Sequence, residues 1–155
     1  MNRDYKIFIV GGGDRLHTCL PVFIKSKFKL SGVIITKKDK IVSIKSSLKK
    51  YNIKTFKEWD SFVNSVNSFK KAVVFFISHN KIINPNIFLT AHLVNYHASP
   101  LPKYRGGSPM NWAIINGKTE FGVTIHQLVE SIDAGPIIIQ ENFCIKNCKK
   151  SCQCN

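Results

Sequence analysis

The segment His92 to Gly107, "HLVNYHASPLPKYRGG", decides how the rest of the chain is read. It runs from an apolar stretch into an amide and an imidazole, then into a loop rich in proline and glycine. Residues two apart in a strand point to the same side. Leu93, Asn95 and His97 therefore align, and the amide stands beside the imidazole at the carboxyl end of the strand. In open α/β sheets that edge is where ligands bind. An amide N–H next to an imidazole suits the oxyanion of an acyl transfer. On residue type alone, a purely structural hydrogen-bonding pair is an equally good reading.

Upstream, short apolar runs alternate with helical patterns. "KIFIV" (Lys6 to Val10), bounded by three glycines, reads as a buried parallel strand. A helix is expected from Asp14 to Lys25 with Leu16, Leu20, Phe23 and Ile24 inward, and Pro21 in its first turns or at a kink. "SGVIIT" is a second strand, Ser43 to Tyr51 a short helix and "IKTFK" a third strand. Trp59, Phe62, Val63 and Val66 have helical spacing before the strand "AVVFFIS" (Ala72 to Ser78). Pro85 suits the first position of a short helix or turn. The fold class that follows is α/β, an open, mostly parallel, Rossmann-like sheet with helices on both faces.

Downstream, Pro109 to Ile115 is expected as a helix laid on the sheet through Met110, Trp112 and Ile114 or Ile115. "VTIHQLV" alternates, with Thr124, His126 and Leu128 sharing a side. "DAGP" turns the chain into a last strand, "IIIQENF". A second polar terminus thus arises at Asp133, whose carboxylate can orient an imidazole or accept a proton.

With 155 residues, 44% of them hydrophobic, the chain fits one domain with a sizeable core. No apolar run reaches the roughly 18 residues of a membrane span. The N-terminus lacks a secretory h-region, so a cytoplasmic protein is expected. The net charge of +14 points to an anionic partner. Only Arg3, Arg15 and Arg105 are arginine, and phosphate forks favour arginine, so an anionic small molecule is preferred over nucleic acid. Four of five cysteines, Cys144, Cys148, Cys152 and Cys154, crowd the last twelve residues in a C-x3-C-x3-C-x-C spacing that matches no common zinc pattern. No metal is expected there, and an unstructured reduced tail is preferred. Cys19 reads as core packing.

The run "NYHASPLPKYRGGSPMNWAIINGKTEFGVTIHQLVESIDAGPIIIQ" resembles the core of the formyltransferase family that uses 10-formyltetrahydrofolate, with a weaker colinear likeness over Lys6 to Asn86. The resemblance implies a catalytic trio at Asn95, His97 and Asp133, formyl transfer to a primary amine, and no metal. Asn95 and His97 would stabilise the oxyanion, while Asp133 would hold His97 and assist proton removal. It places the reduced folate near Phe76, Ile77 and Ser78 and near Leu128, Val129, Glu130 and Ile132. The loop containing Ser99, Tyr104 and Arg105 would shape the substrate site, with Arg105 either on an anionic substrate or salt-bridged to the loop. Gly11, Gly12 and Gly13 offer backbone N–H groups at a helix start, for substrate phosphate or simply for a tight turn. His126 reads as a packing residue at a strand end that also admits substrate contact.

The stretch from Ser108 to Gly135 resembles nucleotide-linked amino-sugar formyltransferases, so a sugar-nucleotide amine is the preferred acceptor. Initiator tRNA ranks second, because the chain lacks the family's RNA domain and basic insertion, and glycinamide ribonucleotide ranks third. Residues 1–143 are expected to form the catalytic domain and 144–155 a divergent tail that is disordered. A truncated folate-binding module with little or no turnover is the alternative from another class.

Overall fold

Ile7, Phe8, Ile9 and Val10 are all buried in β1 (Lys6–Gly11), as a parallel strand covered on both faces requires. The computed structural model describes residues 4–144. Its seven strands are ordered β3-β2-β1-β4-β5-β6-β7. The other strands are β2 (Lys29–Ile35), β3 (Thr55–Phe56), β4 (Ala72–Ile77), β5 (Ala91–His97), β6 (Glu120–Gln127) and β7 (Ile137–Cys144). β1 pairs parallel with β2 and β4, and β2 with β3, whereas β6 and β7 pair antiparallel. The open, mostly parallel α/β sheet read from the sequence is the one observed.

The chain divides into two compact units, Met1–Val94 and Asn95–Asn155. In the first, α1 (Gly13–Lys25), α2 (Ile41–Lys50) and α3 (Trp59–Asn67) connect the parallel strands. Each buries one stripe at helical spacing: Leu16 and Leu20 on α1, Ile44 and Leu48 on α2, Phe62 and Val66 on α3. Phe62 meets Phe8 and Phe56 edge-to-face at centroid distances of 5.8 and 5.4 Å, so the core of this unit is largely aromatic. Pro21 lies well inside α1, not in its first turn. Its exposed position means the missing N–H opens no buried gap. Pro85 begins a 3-10 turn, with Asn84 accepting the Asn86 N–H.

The second unit is smaller. Ala98, Ala113 and Phe121 form its buried core, with Tyr96 and Tyr104 packed against them. In α4 (Pro109–Ile115) only Ala113 is buried. Met110, Trp112, Ile114 and Ile115, expected on the inner face, are exposed. A helix of two turns has room for one inward residue here, and the small alanine holds that place. The expected cysteine tail from residue 145 onward lies outside the described residues, while Cys144 ends β7. No helix among the described residues is long and apolar enough to cross a membrane.

Candidate active site

The second unit gathers its polar side chains around one carboxylate. Asn95 and His97 come from the last three positions of β5, and strand alternation points both at Asp133. Asp133 sits in the turn between β6 and β7 with φ 47°, in the left-handed region that Asp tolerates better than most residues. Asn95 Nδ2 donates to Asp133 Oδ1 at 3.2 Å, and the Gly106 N–H donates to Oδ2 at 2.9 Å. His97 Nδ1 lies 3.3 Å from Oδ2. The opposite nitrogen, Nε2, is 2.8 Å from the Tyr104 carbonyl oxygen and donates to it, since a carbonyl only accepts.

His126 is the member of this group that sequence reasoning left as a packing residue. It is 2% exposed, with Nε2 3.3 Å from Asp133 Oδ1 and 3.1 Å from Asn95 Nδ2. In β6, Thr124 and His126 alternate in phase and are both buried. Two buried polar residues on one side of a strand need partners, a demand that appears only once the inward side of β6 is known.

Burial alone would push the Asp133 carboxyl up. The His126 hydrogen bond, the Gly106 N–H and the His97 and His126 rings outweigh it, and the net direction is down from 3.8. A depressed carboxyl binds its proton more weakly folded than unfolded. Its stabilising contribution is therefore complete above the ordinary value and is lost as pH falls through the folded one. The stability difference between wild type and Asp133→Asn is expected to shrink as pH drops below about 4 in urea titrations. A difference that stays constant from pH 7 to pH 3 would contradict this.

The loop after β5 is fastened by hydrogen bonds within the unit. Thr124 Oγ1 donates to the Ser99 carbonyl at 2.7 Å and accepts from the Leu101 N–H and from Gln140 Nε2. Gln140 Nε2 also donates to the Leu101 carbonyl at 2.8 Å. Ser99, expected at the substrate, is fully buried and gives its hydroxyl to the Lys103 carbonyl, so its side chain holds the loop. The Tyr104 ring packs on the small core, and its carbonyl anchors His97. Arg105 is exposed and makes no ion pair among the described residues, which removes the salt-bridged reading of that side chain.

Of the expected folate segment in this unit, Leu128 and Val129 are half-buried, whereas Glu130 and Ile132 are exposed. Gly135, in the same turn, is buried, and a Cβ there would run into the Gln127 carbonyl oxygen. That carbonyl is 2.9 Å from His126 Nδ1.

The remaining expected residues lie in the first unit. Phe76 and Ile77 are buried in its core within the paired strand β4, so neither side chain is open to a ligand. Ser78 is half-buried with φ 58°, and its hydroxyl is 3.5 Å from Arg15 Nη1. A Cβ on Gly11 would strike the Ile77 carbonyl, and one on Gly12 the Lys37 backbone. Close chain packing therefore already requires those two glycines. The Gly12 N–H is taken by the Ile77 carbonyl at 3.3 Å, and Gly13 has φ 70°. Among the described residues no group of three or more His, Cys, Asp or Glu is arranged to hold a metal ion.

A family model described as formyl transferase matches residues 7–153. Among solved structures, a sugar 3N-formyl transferase, WlaRD, in the presence of dTDP and 5-N-formyl-THF, is similar at 28% identity and a TM-score of 0.75. That match covers 94% of this chain and 54% of the other. An N-formyltransferase from Helicobacter canadensis, in complex with folinic acid and dTDP-3-aminofucose, is 26% identical with a TM-score of 0.76 over 92% of this chain and 54% of that one. A phosphoribosylglycinamide formyltransferase from Bacillus halodurans shares the fold, with a TM-score of 0.74 at 22% identity over 94% of this chain and 82% of that one.

Proposed function

Because the chain belongs to the formyl transferase family and so to enzymes that transfer formyl groups, we propose that it carries a formyl group from 10-formyltetrahydrofolate to the primary amine of a nucleotide-linked amino sugar. The observation that carries the reading is the convergence of Asn95, His97 and His126 on the Asp133 carboxylate. Attack by an amine on a formyl carbon turns the carbonyl oxygen into an oxyanion, which needs donors fixed in advance. Asn95 Nδ2 and His97 Nε2 are those donors.

Asp133 keeps His97 aimed and, with its acidity depressed, stays ionised at neutral pH. An ionised carboxylate at this point favours loss of the proton that the attacking amine must shed, directly or through water. Leu128, Val129 and Ile132 offer apolar surface to the folate beside Asp133. An anionic acceptor is supported by the net charge of +14 and by the exposed Arg105, which makes no ion pair among the described residues. The two sugar N-formyltransferases, which carry nucleotides and formylated folates, support the choice of acceptor.

The test is an acceptor screen. Purified protein given 10-formyltetrahydrofolate and a dTDP-linked 3-amino sugar is expected to release tetrahydrofolate and yield the N-formyl sugar. Turnover only with glycinamide ribonucleotide or initiator tRNA would move the acceptor. No release with any of these, despite donor binding, would remove the transfer reading and leave a folate-binding module.

A further inference from the structure

We infer that His126 is a positioning residue whose Nε2 hydrogen decides whether Asn95 is free to donate to substrate, an inference that rests on the reading of Asn95 as an oxyanion donor. At 2% exposure the ring has no surface for a substrate, so any influence passes through its neighbours. Its Nδ1 faces the Gln127 carbonyl at 2.9 Å, and since a carbonyl only accepts, Nδ1 carries a hydrogen. The second nitrogen, Nε2, faces two groups of opposite demand. Asn95 Nδ2, a donor, is 3.1 Å away, and Asp133 Oδ1, an acceptor, is 3.3 Å away.

With Nδ1 protonated, a neutral ring has only a lone pair at Nε2. That lone pair takes one amide hydrogen of Asn95, and the other goes to Asp133 Oδ1 at 3.2 Å. Both hydrogens are then occupied, and none is left for an oxyanion. A hydrogen on Nε2 reverses the arrangement. The ring now donates to Asp133 Oδ1 itself, has no lone pair for Asn95, and releases the amide. The titratable groups facing the ring are Asp133, from the turn after β6, and His97, from β5, whose ring stands edge-on at 6.4 Å. One hydrogen, held where solvent and substrate do not reach, thus moves Asn95 from internal partner to available donor.

Two measurements test this. In ¹⁵N-labelled wild-type protein, His126 Nδ1 is expected to stay protonated across the pH range in which the fold is stable. The Asn95 side-chain NH2 resonances are expected to move together with protonation of His126 Nε2. An unprotonated Nδ1, or Asn95 resonances indifferent to that step, would overturn the inference even if no active acceptor were found. In kinetics, His126→Met removes both the lone pair and the charge-assisted neighbour that fix where the Asn95 amide points. The freed amide loses its aim, and kcat is expected to fall about 10- to 100-fold with KM for the formyl donor within about threefold, the scale of a mispositioned catalytic group. His126→Gln can accept and donate but cannot gain a proton. It is expected to recover part of kcat while any pH dependence that wild type owes to His126 is lost. Full recovery with the profile unchanged would show a merely structural ring.

If His97→Ala is inactive while His126→Met keeps kcat within about twofold of wild type, only this inference fails. If His97→Ala keeps its activity, the proposed site itself is wrong. Should His126→Met not fold, the resonance measurement on wild type decides alone.

Discussion

Changing His97 to alanine is expected to lower the rate of formyl transfer about 10²- to 10³-fold, the cost of losing one fixed donor to an oxyanion. The substitution removes the Nε2–H that rests on the Tyr104 carbonyl and the ring that faces Asp133 Oδ2. Its effect on stability should be smaller, about 1–2 kcal/mol, because the small core of this unit is built from Ala98, Ala113 and Phe121 with Tyr96 and Tyr104. Single-turnover release of tetrahydrofolate beside a urea titration separates the two effects. A variant that folds and still transfers at the wild-type rate would show that His97 does not touch the reacting carbonyl.

Changing Asp133 to alanine is expected to do more, since two N–H donors lose their acceptor and two imidazoles lose the carboxylate they face. The Gly106 N–H, the Asn95 amide and both imidazoles point at its two oxygens. Loss of hydrogen bonds to a charged group costs about 1.5–3 kcal/mol, and the half-buried loop around Gly106 loses its tie. Activity should fall about 10³- to 10⁴-fold, as when the carboxylate behind a catalytic imidazole is removed. Asp133→Asn should fold better than Asp133→Ala yet stay impaired, because an amide cannot accept on both sides. Activity of Asp133→Ala within tenfold of wild type would remove the carboxylate from the chemistry.

Much of this arrangement is legible in the sequence. Period-2 alternation alone placed Asn95 and His97 on one side, because a strand leaves side chains no other choice. The parallel strands announced themselves as unbroken apolar runs such as "KIFIV". Asp133 was harder: its carboxylate made it a candidate, but nothing in local patterning brings a turn residue back over 35 intervening positions to His97, and the pairing with Asn95 and His97 came from the family resemblance. His126 is buried as a strand-end packing residue should be, but its bonds to Asn95 and Asp133 were not legible because "VTIHQLV" reads equally well with either side inward. The side that turned in was the polar one, held by Thr124 and His126 bonding to the loop and to Asp133. In α4 the pattern failed for a different reason: with apolar residues all around a two-turn helix, periodicity cannot choose an inner side, and Ala113 took it.

Gly135 has a consequence that its backbone does not reveal. Any side chain there would push against the Gln127 carbonyl, the acceptor that keeps a hydrogen on His126 Nδ1. Displacing that oxygen would let the hydrogen migrate to the other ring nitrogen and change what Asn95 and Asp133 meet. The missing methyl group in this turn thereby selects an imidazole tautomer, and its contribution is counted in proton positions.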